Sequence, residues 1–263
     1  MTATTGTPAP QTITIDGCEL SYLRAGRGEP LLFLHGAAGI AGWMPWMEAL
    51  SQRFDLIVPD HPGFGRSSSP EWLDNIHDVA YFYLDVIRAL GLGRVHLAGN
   101  SLGGWIAAEM AVRCTAQLRT LVLVSPAGLR LPGVRKFDIF AASPEANVRA
   151  AFHDQAFADR VLAAPPPDLD TQLKNRFAVA RLAWQPRLYD PHLAKWLHRI
   201  DVPTFVLWGA DDGVIPAAYA GEFGRLIPGA SVRIVERCGH LPHVERPDVF
   251  ISAVTEFIGS HAA

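Results

Sequence analysis

Val95-His96-Leu97-Ala98-Gly99-Asn100-Ser101-Leu102-Gly103-Gly104 opens as a short, mostly apolar run and closes as a serine between glycines. The apolar part predicts a strand buried on both faces of a sheet. Small residues from Ser101 to Arg113 predict a helix packed closely on that sheet. A serine held on a sharp strand-to-helix turn has a strained backbone, so the residues two away on either side must lack bulk. Gly99 and Gly103 stand there. Ser101 would then sit at a helix N-terminus, where the dipole favours a developing negative charge. G-x-S-x-G recurs by chance, so the strand before it and the helix after it carry this reading.

Working outward, short apolar runs recur at Leu31 to Leu34, Phe54 to Val58, Leu121 to Val124 and Phe205 to Trp208, with Ser231 to Val235 as a weaker last one. Upstream, Thr12 to Ile15 alternates polar and apolar, Asp16-Gly17 is a two-residue turn signal, and Cys18 to Leu23 returns. Helical patterns lie between the strands: Asp74 to Leu90 places apolar residues on one face, and Pro216 to Ile227 and Pro247 to Ile258 follow. The expected fold class is therefore α/β, with a mostly parallel central sheet, an antiparallel N-terminal hairpin and helices on both faces.

From Leu129 to His198 the strand pattern stops and only helix signals remain. Ser143-Pro144 and Asp190-Pro191 each predict a cap followed by proline in the first helical position, and Pro165-Pro166-Pro167 predicts a rigid break. So long an insertion is too much for a loop and predicts a helical cap. The expected organisation is a disordered tail over 1–11, a core over 12–128 and 199–259, and the cap over 129–198.

Serine alone is a weak nucleophile and needs a base, itself oriented by a carboxylate. In chain order the acid and then the base should follow Ser101, each past a strand end. Thr204 to Trp208 runs into Gly209-Ala210-Asp211-Asp212, and Ser231 to Val235 leads to Cys238-Gly239-His240. Both aspartates remain candidates on this ground. Asp211 reads equally as a turn residue bonding its own backbone. For the base, His243 competes with His240 but is expected to start a loop or helix facing solvent. The oxyanion donors should be the N–H of Leu102 and one from the loop His35-Gly36-Ala37-Ala38-Gly39, with Ala37 first and Ala38 second. His35 and His61 read as structural hydrogen-bonding residues.

Bulk composition narrows the partners. Of 263 residues, 49% are apolar and 19% charged, enough to bury a sizeable core, and the net charge of −3 comes without a basic run. Nucleic-acid and membrane partners are therefore not expected. The three cysteines, Cys18, Cys114 and Cys238, form no C-x-x-C pair and read as buried thiols. No histidine spacing calls for a metal, and no cofactor is implied. The first residues lack the pattern of a signal peptide, and no run is long enough to span a bilayer, so a cytoplasmic location is expected. Oligomeric state is not readable.

His35-Gly36, Asp60-His61-Pro62-Gly63-Phe64-Gly65-Arg66-Ser67, Gly99 to Gly104, Gly209 to Asp212 and Cys238 to His240 together resemble the α/β-hydrolase superfamily along nearly the whole chain. The resemblance implies Asp212 as the acid, three residues after Gly209, and a helical cap after the sixth strand. Asn100, Ser125 to Leu129 and Cys238 to His240 are also similar to meta-cleavage-product hydrolases, which cleave a carbon–carbon bond in vinylogous keto acids. That likeness implies Arg176 as a carboxylate-holding cap arginine. This chain departs from those enzymes at Ala37-Ala38-Gly39-Ile40 and at Leu241, where they usually have tryptophan. The families that use haloalkane or epoxide chemistry place an aspartate at the Ser101 position.

The leading expectation is a carboxylesterase with Ser101, Asp212 and His240 as its triad. Ala38, Asn100, Arg176, Phe177 and Leu241 are the candidate substrate-binding residues, and Phe152, Phe157, Leu182 and Trp184 are further apolar cap candidates. The substrate would be a small ester of low polarity. A C–C bond hydrolase and a non-catalytic ligand sensor on the same scaffold are the alternatives.

Overall fold

The structure, a computed structural model, describes residues 7–165 and 168–261. Its strands β1 (Gln11–Ile15), β2 (Cys18–Ala25), β3 (Pro30–Leu34), β4 (Asp55–Pro59), β5 (Val95–Asn100), β6 (Leu118–Val124), β7 (Thr204–Gly209) and β8 (Ser231–Val235) form one sheet. The order is β1-β2-β4-β3-β5-β6-β7-β8. β1 and β2 form an antiparallel hairpin, and β2 also runs antiparallel to β4. Pairings from β3 through β8 are parallel. Asp16 and Gly17 both adopt positive φ, 48° and 76°, the backbone twist a two-residue hairpin turn requires. Residues 1–6 of the expected tail lie outside the described residues, and the hairpin starts at Gln11, one residue earlier than its alternation suggested.

The helices are α1 (Pro45–Ser51), α2 (Ile76–Ala89), α3 (Leu102–Arg113), α4 (Pro144–Ala151), α5 (Gln155–Ala163), α6 (Leu169–Ala183), α7 (Leu193–Trp196), α8 (Ala218–Leu226), α9 (Pro242–Glu245) and α10 (Pro247–Gly259). Strand periodicity sorts the core into two layers. Leu32, Leu34, Leu97, Leu121, Leu123 and Val206 point to the face covered by α2, α3 and α8. Leu31, Phe33, Ala98, Val122, Val124 and Phe205 point to the face covered by α1 and α10. Strands buried on both faces read as continuous apolar runs, which is why the central ones stand out in sequence. β8 is the exposed edge from Ser231 to Ile234, hence its weaker pattern.

Between β6 and β7 the described residues form helices, with only an isolated bridge from Gly128 to Tyr189. Ser143 caps α4 by accepting from the Ala146 N–H at 3.1 Å, with Pro144 in the first turn. Asp190 instead accepts from His192 N–H at 2.8 Å inside a turn, and the next helix starts later, at Leu193. Pro166 and Pro167 of the expected rigid break lie outside the described residues. α1 was not foreseen. Its N-cap is Met44, which carries none of the usual cap signal. Cys18 and Cys238 are buried as expected, whereas Cys114 is only partly so.

Candidate functional site

Ser101 occupies the turn between β5 and α3 with φ +54° and ψ −113°, a strained backbone for a residue with a side chain. A Cβ on Gly99 would lie 2.3 Å from the Gly103 carbonyl oxygen, and one on Gly103 would lie 2.1 Å from that of Leu34. The strand, turn and helix approach so closely that only glycine fits at both positions. The Ser101 N–H donates to Val124 O at 2.9 Å, and its carbonyl accepts from Trp105 and Ala127 N–H, each at 3.0 Å. The strain is thus held from three sides. Leu102 begins α3, so its N–H has no partner within the helix.

His240 and Asp212 come together from the ends of adjacent strands. His240 Nδ1 lies 2.7 Å from Asp212 Oδ2, and the Asp212 side chain is fully buried. Its other oxygen accepts from the N–H groups of Val214, at 2.9 Å, and Ile215, at 2.8 Å. These bonds fix the carboxylate, which can accept a hydrogen bond from an imidazole N–H at Nδ1, the tautomer that leaves Nε2 as the basic nitrogen. Asp211 turns away and pairs with His153 at 2.9 Å on the surface. The Asn100 amide donates to the carbonyls of Val124 and His240, both at 3.2 Å, which ties the histidine loop to the residue before Ser101. Asn100 is buried and engaged in that tie, where substrate contact was expected.

The loop after β3 folds against this pair. A Cβ on Gly36 would be 3.4 Å from Ser101 Cβ, and Gly39 N–H closes a turn onto Gly36 O at 3.1 Å. Ala37 and Ala38 are its central residues. Among the described residues neither of their N–H groups finds an acceptor. Under the loop, His35 and His61 stack at 3.8 Å. His61 bonds Tyr83 Oη at 2.6 Å and His35 O at 2.9 Å. Burial pushes the His35 pKa down to about 4 and that of His61 well below its ordinary value. Both are structural groups.

His243 departs from expectation. It is buried among Phe33, Trp46 and Phe250, not turned to solvent, and burial brings its pKa down to about 3. α9 starts with Pro242, and His243 in its first turn packs onto the α1–α10 layer. Leu241, between them, is half-buried, and its carbonyl accepts from Val244 and Glu245 N–H.

The residues expected in a cap divide. Phe152 is buried, with its ring 5.0 Å from Phe157, and its backbone abuts Gly239. The His240 N–H donates to Ala151 O at 2.8 Å. The Glu245 carboxylate bridges the N–H groups of Gly239 and Asp154, each at 2.6 Å. Leu182 is buried, and Trp184 packs on Phe140 and under the Arg187 guanidinium. Arg176 is exposed, and its side chain makes no ion pair or hydrogen bond among the described residues. Phe177 is 67% exposed and shares an outer stripe with Leu169 and Leu173, so it is not placed as a wall of the site.

Sequence reasoning missed Asn175 and Glu245. Asn175 had a signal: it lies in phase with Ala178, Val179 and Leu182, a polar residue on the buried face of α6. Away from Ser101, His77, Glu109 and Asp190 bring one potential metal-ligand atom each within 4.8 Å of one another. Arg113 and Trp105 already bond the two Glu109 oxygens, and His77 sits 3.0 Å from Asp190. The trio is satisfied as an ion-pair network.

The mostly parallel sheet with its antiparallel N-terminal pair and surrounding helices is an α/β-hydrolase fold. The chain belongs to the alpha/beta hydrolase family, whose family model matches residues 31–253. It is 28% identical to a 2-hydroxy-6-oxo-6-(2'-aminophenyl)hexa-2,4-dienoic acid hydrolase of Metapseudomonas resinovorans, over 95% of this chain and 91% of the relative. It is 30% identical to Lipase 1 of Psychrobacter immobilis, over 88% of this chain and 78% of the relative. Among solved structures, a meta-cleavage product hydrolase superposes with a TM-score of 0.79 at 25% identity, covering 95% of this chain and 98% of the other. No helix among the described residues is long and apolar enough to cross a membrane.

Proposed function

We propose that the protein is a serine hydrolase that cleaves carboxylic esters of low polarity through an acyl-enzyme. The observation that carries this reading is the buried Asp212–His240 bond of 2.7 Å, tied through Asn100 to the strained turn that bears Ser101. His240 Nε2 takes the Ser101 proton as Oγ attacks the ester carbonyl. The N–H groups of Leu102 and Ala37 hold the oxyanion. Collapse expels the alcohol, which leaves with the proton from the imidazolium. Water, deprotonated by His240, then attacks the acyl-enzyme, and Ser101 regains its proton as the acid departs.

A C–C bond hydrolase is the second reading, favoured by full-length similarity to hydrolases of 2-hydroxy-6-oxo-dienoates. Against it, the exposed Arg176 side chain has no ion pair among the described residues, and Leu241 follows His240. The test is initial rates on p-nitrophenyl esters of graded acyl length for wild type and Ser101→Ala. Turnover that the variant loses by up to about 10⁶-fold (the scale of losing the triad nucleophile) is the expected result. Equal rates in the two proteins would sink the serine mechanism. Silence on esters with turnover of a 2-hydroxy-6-oxo-dienoate would transfer the site to the second reading.

A further inference from the structure

Asn175 reaches from cap helix α6 into the loops around Ser101 and uses both ends of its amide. Nδ2 donates to Ala38 O at 3.1 Å, and Oδ1 accepts the Gly65 N–H at 2.9 Å. Its residue is 9% exposed, and flipping the amide would break both bonds. The loop is moulded to it: Gly39 has φ +80°, and a Cβ there would fall 2.5 Å from Asn175 Nδ2. The Ala38–Gly39 peptide is therefore pinned at both ends, its carbonyl by Asn175 and its N–H by Gly36 O. What remains unbonded in that turn among the described residues is the pair of N–H groups of Ala37 and Ala38, next to Gly36, where an added Cβ would lie 3.4 Å from Ser101 Cβ.

From this geometry we propose that Asn175 is a positioning residue that holds the oxyanion loop, so that seating the cap and assembling the oxyanion hole are one event. The proposal rests on the serine-hydrolase reading above. α6 has other anchors: Lys174 Nζ donates to Gly65 O at 2.8 Å and Ser67 O at 2.7 Å, and Arg181 bonds Ser69, Pro70 and Glu71. These stop at the β4–α2 loop, whereas Asn175 continues to Ala38. If α6 lifted, the Ala38 carbonyl would lose its donor and the turn would be free to rotate its N–H groups away from the oxyanion. A loop that must find its position in each turnover loses transition-state stabilisation, not ground-state binding.

The experiment measures the rate of covalent labelling by a fluorophosphonate, whose phosphoryl oxygen needs the same donors, beside kcat and KM on a p-nitrophenyl ester. The proteins are wild type, Ser101→Ala, Asn175→Ala, Asn175→Asp and Lys174→Met, each checked by its thermal midpoint. Asn175→Asp keeps the acceptor for Gly65 and removes the donor to Ala38, so it serves if the alanine variant does not fold. Both Asn175 variants should label and turn over about 10- to 100-fold more slowly with KM within about threefold, less than the loss of an outright oxyanion donor. Lys174→Met should stay within about threefold of wild type. Wild-type labelling rates in both Asn175 variants, or an equal loss in Lys174→Met, would overturn the proposal while leaving the serine mechanism standing. Wild-type protein that fails to label through Ser101 would remove the mechanism and the proposal with it.

Discussion

Asp211 and Asp212 are neighbours of identical chemistry, separated by what their backbone surroundings offer. Asp212 lies where the turn after β7 presents the Val214 and Ile215 N–H groups to one oxygen and His240 to the other. Asp211 faces out toward His153, and both partners are more than a third exposed, so that pair is screened by solvent. Asp212→Asn should lower kcat on an active ester by about 10⁴, through the wrong imidazole tautomer. Asp211→Asn should change it by less than about threefold. Steady-state rates for the two variants decide between them, and a reversed order would reassign the acid.

At the scale of elements, the turn from β5 to α3 is governed by close approach. Gly103, Gly104, Ala107, Ala108 and Ala111 line the buried helix, and small side chains let it lie near β3, β5 and β6. The atoms that crowd Gly103 are the backbone oxygens of Leu34 and His35, which cannot swing aside as a side chain would. Gly103→Ala should therefore cost at least about 3 kcal/mol, at the upper end of overpacking effects. Urea unfolding measures this, and a variant within about 1 kcal/mol of wild type would mean the turn is more pliable than its contacts imply. The helical stretch between β6 and β7 is attached to such turns as well: Ala151 and Asp154 meet the loop that carries His240, and Asn175 meets the loop after β3. Elements distant in sequence share the job of holding one small site.

For the whole molecule, these buried imidazoles become an acid limit on stability. His35 and His243 have pKa values of about 4 and about 3 in the folded protein, against an unfolded value near 6.5. His61 is depressed in the same direction. The unfolded chain therefore binds more protons below about pH 6.5, and stability falls as pH drops from there toward the folded pKa values. Each group contributes a slope of up to about 1.4 kcal/mol per pH unit in that window. Unfolding followed from pH 7 to 4 should show this decline. His243→Leu should flatten it, since His243 Nδ1 has no hydrogen-bond partner among the described residues and an apolar side chain suits its neighbours. An unchanged pH dependence in that variant would show that His243 does not contribute.

Strand alternation, turn chemistry and glycine placement act over a few residues, so the chain alone was enough for the parallel sheet, the Asp16-Gly17 hairpin, the serine turn and the helical stretch between β6 and β7. The placement of Ser101, of the Asp211-Asp212 pair and of His240, each just past a strand end, is legible for the same reason. Other features depend on residues far apart in the chain. Resemblance alone favours Asp212 over Asp211, and the fold sets Asp212, not Asp211, against His240. The inward turn of His243, the outward turn of Phe177 and the engagement of Asn100 with the His240 carbonyl follow from how helices and loops pack. α1 escaped notice because Met44 gives no cap signal, and its stability comes from packing with α10 and β4. Asn175 is the clearest case: its sequence phase marked it as buried, but its partners at Ala38 and Gly65 lie on loops more than a hundred residues away, and only the folded chain brings them together.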